Sequence, residues 1–173
     1  MTSGTTLSVH TDRLDLVPCT LAAARASLQE PAAVAALLER RVPGSWPPDE
    51  LVDALSFYAR ELAADPSHMG WGIWFVISRP DGSLAGSVGF KGPPDANGCV
   101  EIGYGIEPPF RQRGYATEAV KGLLGWAWSE GVTRVVAECH DANQASIRVL
   151  EKAGMARTTP RGRMLWWELR TPS

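Results

Sequence analysis

The sequence predicts an α/β domain of the α+β kind, a mixed and mostly antiparallel sheet flanked by helices. Three observations lead there. Apolar runs at Ile73 to Ser78 and Leu84 to Phe90 flank Arg79-Pro80-Asp81-Gly82-Ser83, a turn-forming stretch that makes the pair a β-hairpin. From Cys99 to Cys139 a strand, a helix and a strand succeed one another, which requires parallel pairing across a right-handed crossover. Ahead of the hairpin lie Ala- and Leu-rich stretches that read as helices.

Taken in order, Leu14 and Leu16 alternate with Asp15 and Val17 in an opening strand near Arg13 to Cys19. Helical stretches follow at about Leu21 to Gln29 and Pro31 to Arg41. Pro43-Gly44-Ser45-Trp46-Pro47-Pro48 interrupts the chain, and a helix from about Asp49 to Ala64 then repeats Leu51, Leu55, Tyr58 and Leu62 on one side. These helices are expected to cover one edge of the sheet. After the hairpin, the loop Gly92 to Gly98 leads into a strand from Cys99 to Ile106. The next helix, beginning near Gly114, is the best defined: Ala116, Ala119, Val120, Leu123, Leu124 and Ala127 share one side. Gly131 stops it and Arg134 to Cys139 supplies a strand. Asn143 suits the N-cap of a helix ending near Ala153, with Gly154 as its stop. A last strand is expected from Arg163 to Leu169.

Composition narrows the function. The chain has 173 residues, 45% of them hydrophobic, which suits a single domain over residues 1–173. A net charge of -2 supplies no basic field for nucleic acid, and no apolar run approaches the roughly 18 residues of a membrane span. No nucleic-acid or membrane partner is expected, and the polar start of the chain points to a cytoplasmic protein. Cys19, Cys99 and Cys139 are odd in number and widely spaced, and His10, His68 and His140 do not cluster, so neither disulfides nor a metal site is expected. The seven tryptophans read as core or interface aromatics. Trp166 and Trp167 put one ring on each face of the last strand, leaving a face for a partner chain, so the state expected is monomer or homodimer.

The stretch Arg111-Gln112-Arg113-Gly114-Tyr115-Ala116 lies where strand gives way to helix. The first turn of a helix leaves N–H groups unpartnered at the positive end of the dipole, where a pyrophosphate settles if no side chain blocks it. Gly114 and Ala116 remove the obstruction, and Arg111 and Arg113 add cations whose forks match phosphate. An ordinary exposed loop fits the same hexapeptide. Gly103 and Gly105 weaken a strand interior and call for a bulge or a close backbone approach, and plain strand curvature also accounts for them. Glu101 shares their face, opposite Val100, Ile102, Tyr104 and Ile106.

Val100 to Ile106, Arg111 to Ala116, Thr117-Glu118-Ala119 and Asn143 to Met155, in that order, resemble the GNAT superfamily of acetyl-CoA-dependent N-acetyltransferases. The nearest branch is the one that includes ribosomal-protein N-terminal acetyltransferases. The resemblance covers residues 11–170 and implies a sheet of about seven strands whose central parallel pair splays apart to admit the cosubstrate. It implies that Arg111, Gln112, Arg113, Gly114, Tyr115, Ala116 and Thr117 take the pyrophosphate of acetyl-CoA. It further implies that the main chain at Ile106 and the side chain of Asn143 meet the pantetheine arm.

The same resemblance makes Glu101 the base for the acceptor amine, commonly through water, with Glu138 as a weaker rival. Glu101 stands one residue out of step with the family position. Ser146 is placed near the thioester sulfur, although Asn143 and Ser146 also form an ordinary helix cap. Many members protonate the leaving thiolate with a tyrosine seven residues after the asparagine; this chain has Leu150 there. Arg40, Arg41 and Trp46 are candidates for the acceptor side. The reaction implied is direct attack of a primary amine, on a protein or peptide N-terminus or a small molecule, within a ternary complex. Deprotonating the amine at pH 7 costs roughly 4.6 kcal/mol for a lysine-like group and only about 1 kcal/mol for an α-amine. A non-catalytic acyl-CoA-binding module is the alternative: Leu150 favours it, whereas Glu101 and Ser146 favour the enzyme.

Overall fold

The computed structural model describes residues 6–173. Its elements are β1 (Val9–His10), β2 (Leu14–Pro18), α1 (Leu21–Gln29), α2 (Val34–Leu38), α3 (Asp49–Ala64), β3 (Ile73–Ser78), β4 (Ser83–Phe90), β5 (Cys99–Ile106), α4 (Tyr115–Ser129), β6 (Arg134–His140), α5 (Gln144–Lys152), β7 (Ala156–Arg157) and β8 (Met164–Arg170). The eight strands form one sheet in the order β1-β2-β3-β4-β5-β6-β8-β7. Every neighbouring pair is antiparallel except β5 and β6. The mixed architecture expected from the sequence is present, with the two-residue strands β1 and β7 added. Neither is long enough for alternation to register.

The parallel ladder is short. It joins Cys99 to Arg134, Val100 to Val135 and Glu101 to Val136, after which both strands continue without pairing each other. Ile102 to Ile106 instead pair on their other side with β4, from Phe90 back to Gly86. The central strands therefore part over the second half of β5, and a slot opens between them.

Side-chain alternation on β3, buried along its whole length, divides the core in two. Trp74 and Val76 join a cluster with α4 and α5, whereas Ile73, Phe75 and Ile77 join one with α1, α2 and α3. The N-terminal helices thus lie on one face of β2, β3 and β4 rather than along an edge. The helix expected over Pro31 to Arg41 is instead a 3-10 turn at Pro31–Ala33 followed by α2, which ends where Glu39 takes φ 53°. No side chain caps either piece, and five residues scarcely outlast a helical nucleus. By contrast, the Thr20 hydroxyl accepts from Ala23 N at 3.1 Å and starts α1.

On the opposite face Ala119, Val120, Leu123 and Ala127 of α4 are fully buried, as the 3.6-residue period requires. Trp126 closes this layer against Trp71 and Trp74, with ring centroids 4.7 and 5.0 Å apart. Trp46, Trp74 and Trp167 are core residues. Because α4 sets the end of the Arg111 to Ala116 loop, its packing is the mechanical basis of the candidate site. Leu123→Ala is expected to lower stability by about 2–5 kcal/mol in urea denaturation. A loss below about 1 kcal/mol would show that this helix is not an anchor of the core.

Candidate active site

The turn from β5 into α4 is tied down at its start and open at its end. Glu107 N donates to Ala85 O at 2.8 Å, and Pro108–Phe110 make one 3-10 turn. Gln112 and Gly114 then take φ of 62° and 78°, and the left-handed Gly114 occupies the N-cap with no side chain in the way. The first bond into the helix is Glu118 N to Gly114 O, 3.1 Å. Among the described residues, the N–H groups from Gln112 to Thr117 meet no acceptor. A run of free N–H groups at the positive end of a 15-residue helix is an anion cradle.

Tyr115 faces inward and anchors the cradle. It is buried, its hydroxyl lies 3.0 Å from Ser78 Oγ, and the Arg13 guanidinium sits 4.8 Å from its ring centroid. The two loop arginines differ. Arg113 pairs with Asp81 at 3.1 Å and covers the Phe110 ring. Arg111 donates from Nε to Ile106 O at 2.9 Å and, among the described residues, has no carboxylate partner. Its remaining N–H groups are the cationic donors at the mouth of the cradle.

Gly103 and Gly105 lie beside the slot between β5 and β6, exposed on the Glu101 face. A Cβ added at either would meet nothing within 4 Å, so the chain's own packing does not require glycine there. The ladder from β4 to β5 passes them without a register shift, which removes the bulge as their explanation and leaves close approach and strand curvature. Their face borders a cleft of about 540 Å³ whose far wall is Ser45, Pro47, Pro48 and the start of α3. Trp46 does not line this cleft. It is buried, and its indole donates to Ser27 Oγ at 3.0 Å, fixing the loop that does. Arg41 instead joins the β3–β4 turn, its main chain bonding Gly82 and Leu84, and Arg40 donates to Glu39 O.

Glu101 is not alone. Lys91 Nζ forms an ion pair with it and lies 3.3 Å from Glu138, so one ammonium joins the two carboxylates weighed as bases. Partial burial acts to lower the Lys91 pKa, but hydrogen bonds and charge from Glu101 and Glu138 outweigh it and hold the ammonium above its usual value. The pairing follows from the β4–β5 register: Phe90 opposes Ile102, which sets Lys91 against Glu101. Asn143 Oδ1 accepts from Ser146 N at 3.1 Å, the helix-cap arrangement. The Tyr104 ring reaches from β5 to α5, its hydroxyl donating to Ser146 O at 3.3 Å. Burial raises the phenol pKa despite that bond, so Tyr104 keeps its proton at neutral pH. Leu150 is buried beneath, in the core.

A second set of contacts holds the cradle from behind. Glu118, in the first turn of α4, accepts from Thr11 Oγ1 at 2.6 Å, Arg13 N at 2.7 Å and Arg13 Nε at 2.8 Å. Arg13 also donates to Arg113 O at 2.8 Å, so the segment before β2 is clasped to the loop. Burial raises the Glu118 pKa, but the bonds from Thr11 and Arg13 prevail and hold it below the usual 4.5.

Residues 13–156 match the family described as an acetyltransferase (GNAT) domain. An uncharacterized N-acetyltransferase of Bacillus subtilis, YjdG, is 34% identical over 112 residues, 64% of this chain and 67% of that one. Among solved structures, an acetyltransferase (GNAT family) from Bacillus anthracis superposes with a TM-score of 0.63 at 21% identity, covering 95% of this chain and 98% of that chain. RimL, a ribosomal L7/L12 alpha-N-protein acetyltransferase in complex with coenzyme A, superposes with a TM-score of 0.67 at 15% identity and the same coverage. At these identities the structural likenesses are likenesses of fold.

The clasp has a pH signature. Between the depressed folded pKa of Glu118 and its unfolded value, the unfolded chain binds more protons, so the clasp stabilises fully above about 4.5 and is lost as pH falls further. Glu118→Gln is expected to lose about 1.5–3 kcal/mol at pH 7 and much less near pH 3, read by urea denaturation at both. An equal difference at the two pH values would remove the carboxylate charge as the cause.

Proposed function

The chain belongs to the GNAT acetyltransferase family, and on that premise we propose that it moves the acetyl group of acetyl-CoA directly to a primary amine within a ternary complex. The observation that carries this reading is the junction of two features. The unpartnered N–H groups at the start of α4 follow directly on the stretch of β5, Ile102 to Ile106, that β6 leaves unpaired. Backbone donors from Gln112 to Thr117, with Arg111, hold the pyrophosphate. The pantetheine arm then runs along the free side of Ile102 to Ile106, past Gly103 and Gly105, towards Ser146 and Asn143.

The amine enters from the cleft and loses a proton to Glu101, through water. Lys91 holds Glu101 and Glu138 side by side. An α-amine needs about 1 kcal/mol for deprotonation against roughly 4.6 kcal/mol for a lysine, so it asks less of the base. The amine nitrogen attacks the acetyl carbonyl, the C–N bond forms and the C–S bond breaks with its electron pair staying on sulfur. Ser146 hydrogen-bonds that sulfur. The Tyr104 phenol, placed at Ser146 by its hydrogen bond, supplies the proton that Leu150 cannot. Of the two protons the ammonium gives up in all, one balances the thiol and the other reaches solvent. Alignment of the two substrates provides much of the acceleration.

A non-catalytic acyl-CoA-binding module is the second reading, favoured by Leu150 and by the pairing of Glu101 with Lys91. Amine-dependent release of CoA thiol decides between them: binding without release from any of a panel of amines rejects the enzyme. Ala116→Glu, which sets a carboxylate in the cradle, is expected to raise the calorimetric Kd for CoA more than tenfold with the fold intact. Unchanged affinity would move the cosubstrate elsewhere. Glu101→Gln is expected to lower kcat/KM by on the order of 10²-fold while leaving the Kd for CoA unchanged. A kcat/KM within about threefold of the wild type would transfer the role to Glu138.

A further inference from the structure

Glu107 is a carboxylate that acetyl transfer as described above leaves unused. It follows β5 directly, is only 4% exposed and lines the 540 Å³ cleft. Its Oε2 accepts one neutral hydrogen bond, from Ser45 Oγ at 3.0 Å, and among the described residues no cationic side chain comes within ion-pair distance of it. A carboxylate set in the cleft wall with one neutral partner is open to a cation entering the cleft, which would give it the ion pair it lacks. The other charges of the cleft do not supply it. Lys91 is bound to Glu101 and Glu138, Arg111 donates to Ile106 O, and the start of α3 adds Asp49 and Glu50 to the lining. The wall that carries Ser45 is held by the buried Trp46 and its bond to Ser27.

We propose that Glu107 determines acceptor specificity: the cleft selects amines that carry a second cationic group, an ammonium or guanidinium, which seats against Glu107 while the reacting amine lies near Glu101. This rests on the acetyltransferase reading. Glu101 and Glu107 are separated by six steps of β5, about 20 Å at ~3.3 Å per residue, a span that long side chains at either end shorten. Short diamines cannot bridge it. Long polyamines and peptides with a basic side chain beyond the reacting α-amine can.

The experiment compares kcat/KM of the full chain, with acetyl-CoA, for peptides carrying arginine or its neutral isostere citrulline at the second or third position; spermidine and a mono-amine of equal length form the small-molecule arm. The wild type is expected to prefer the cationic member of a pair at least tenfold, mainly through KM, and Glu107→Gln to bring the ratio within about twofold. Ser45→Lys, which places an ammonium beside Glu107 from an exposed loop position, is expected to erase the preference as well. This keeps the test decisive if Glu107→Gln fails to fold. A ratio near one in the wild type, or a preference surviving in both variants, overturns the proposal. Failure of acetyl transfer itself shows differently, as no thiol release with any acceptor. Calorimetric binding of the arginine and citrulline peptides in the presence of CoA then decides the role of Glu107 by the same ratios.

Discussion

The functional architecture depends on a change of partner within one strand. β5 begins as the neighbour of β6 and ends as a strand whose only ladder is with β4. Had the parallel ladder continued to Ile106, its N–H and C=O groups would be consumed inside the sheet and no extended ligand could add to it. Three rungs fix the direction of both strands, and the parting then leaves a row of main-chain donors and acceptors facing a slot. The helix after β5 packs on the layer containing Trp74 and Val76, and its first turn follows the stretch of β5 that β6 leaves unpaired. Two sources of unpartnered backbone groups, a strand side and a helix start, thus adjoin along the chain with little help from side chains.

Side chains contribute by holding backbone in place. Tyr115 plugs the core directly behind the cradle, and Glu118 ties the segment before β2 to the same turn through Thr11 and Arg13. On the other side, Trp46 anchors the loop that walls the cleft. The rigid parts surround the site while Gly103, Gly105 and Gly114 keep its interior free of Cβ atoms, a division suited to binding a long, flexible cosubstrate with small loss of order in the protein.

Local features were legible in the sequence and long-range ones were not. The α4 stripe from Ala119 to Ala127, the hairpin around Asp81-Gly82 and the Asn143 cap each depend on residues a few positions apart, and each stands where its pattern placed it. Pro31 to Arg41 breaks into two short pieces because its alanine content does not make up for the missing caps and length. At the site, the loop and the Glu101 face could be read from spacing. The ion pair of Lys91 needed the β4–β5 register, and the reach of Tyr104 to Ser146 needed the packing of α5 against the sheet. Trp46, a candidate for the acceptor side although the tryptophans as a set read as core or interface aromatics, has its ring in the core.

Both ends of the sheet finish in strands of two residues, β1 and β7. Such brief terminal strands offer a neighbouring molecule almost no template on which to extend the ladder, so fibrous or strand-swapped growth is discouraged at either end. Contact between copies of this chain would have to be made by side-chain surfaces. The partly exposed Trp166 ring, lying under Arg161 at 4.7 Å, belongs to one of them.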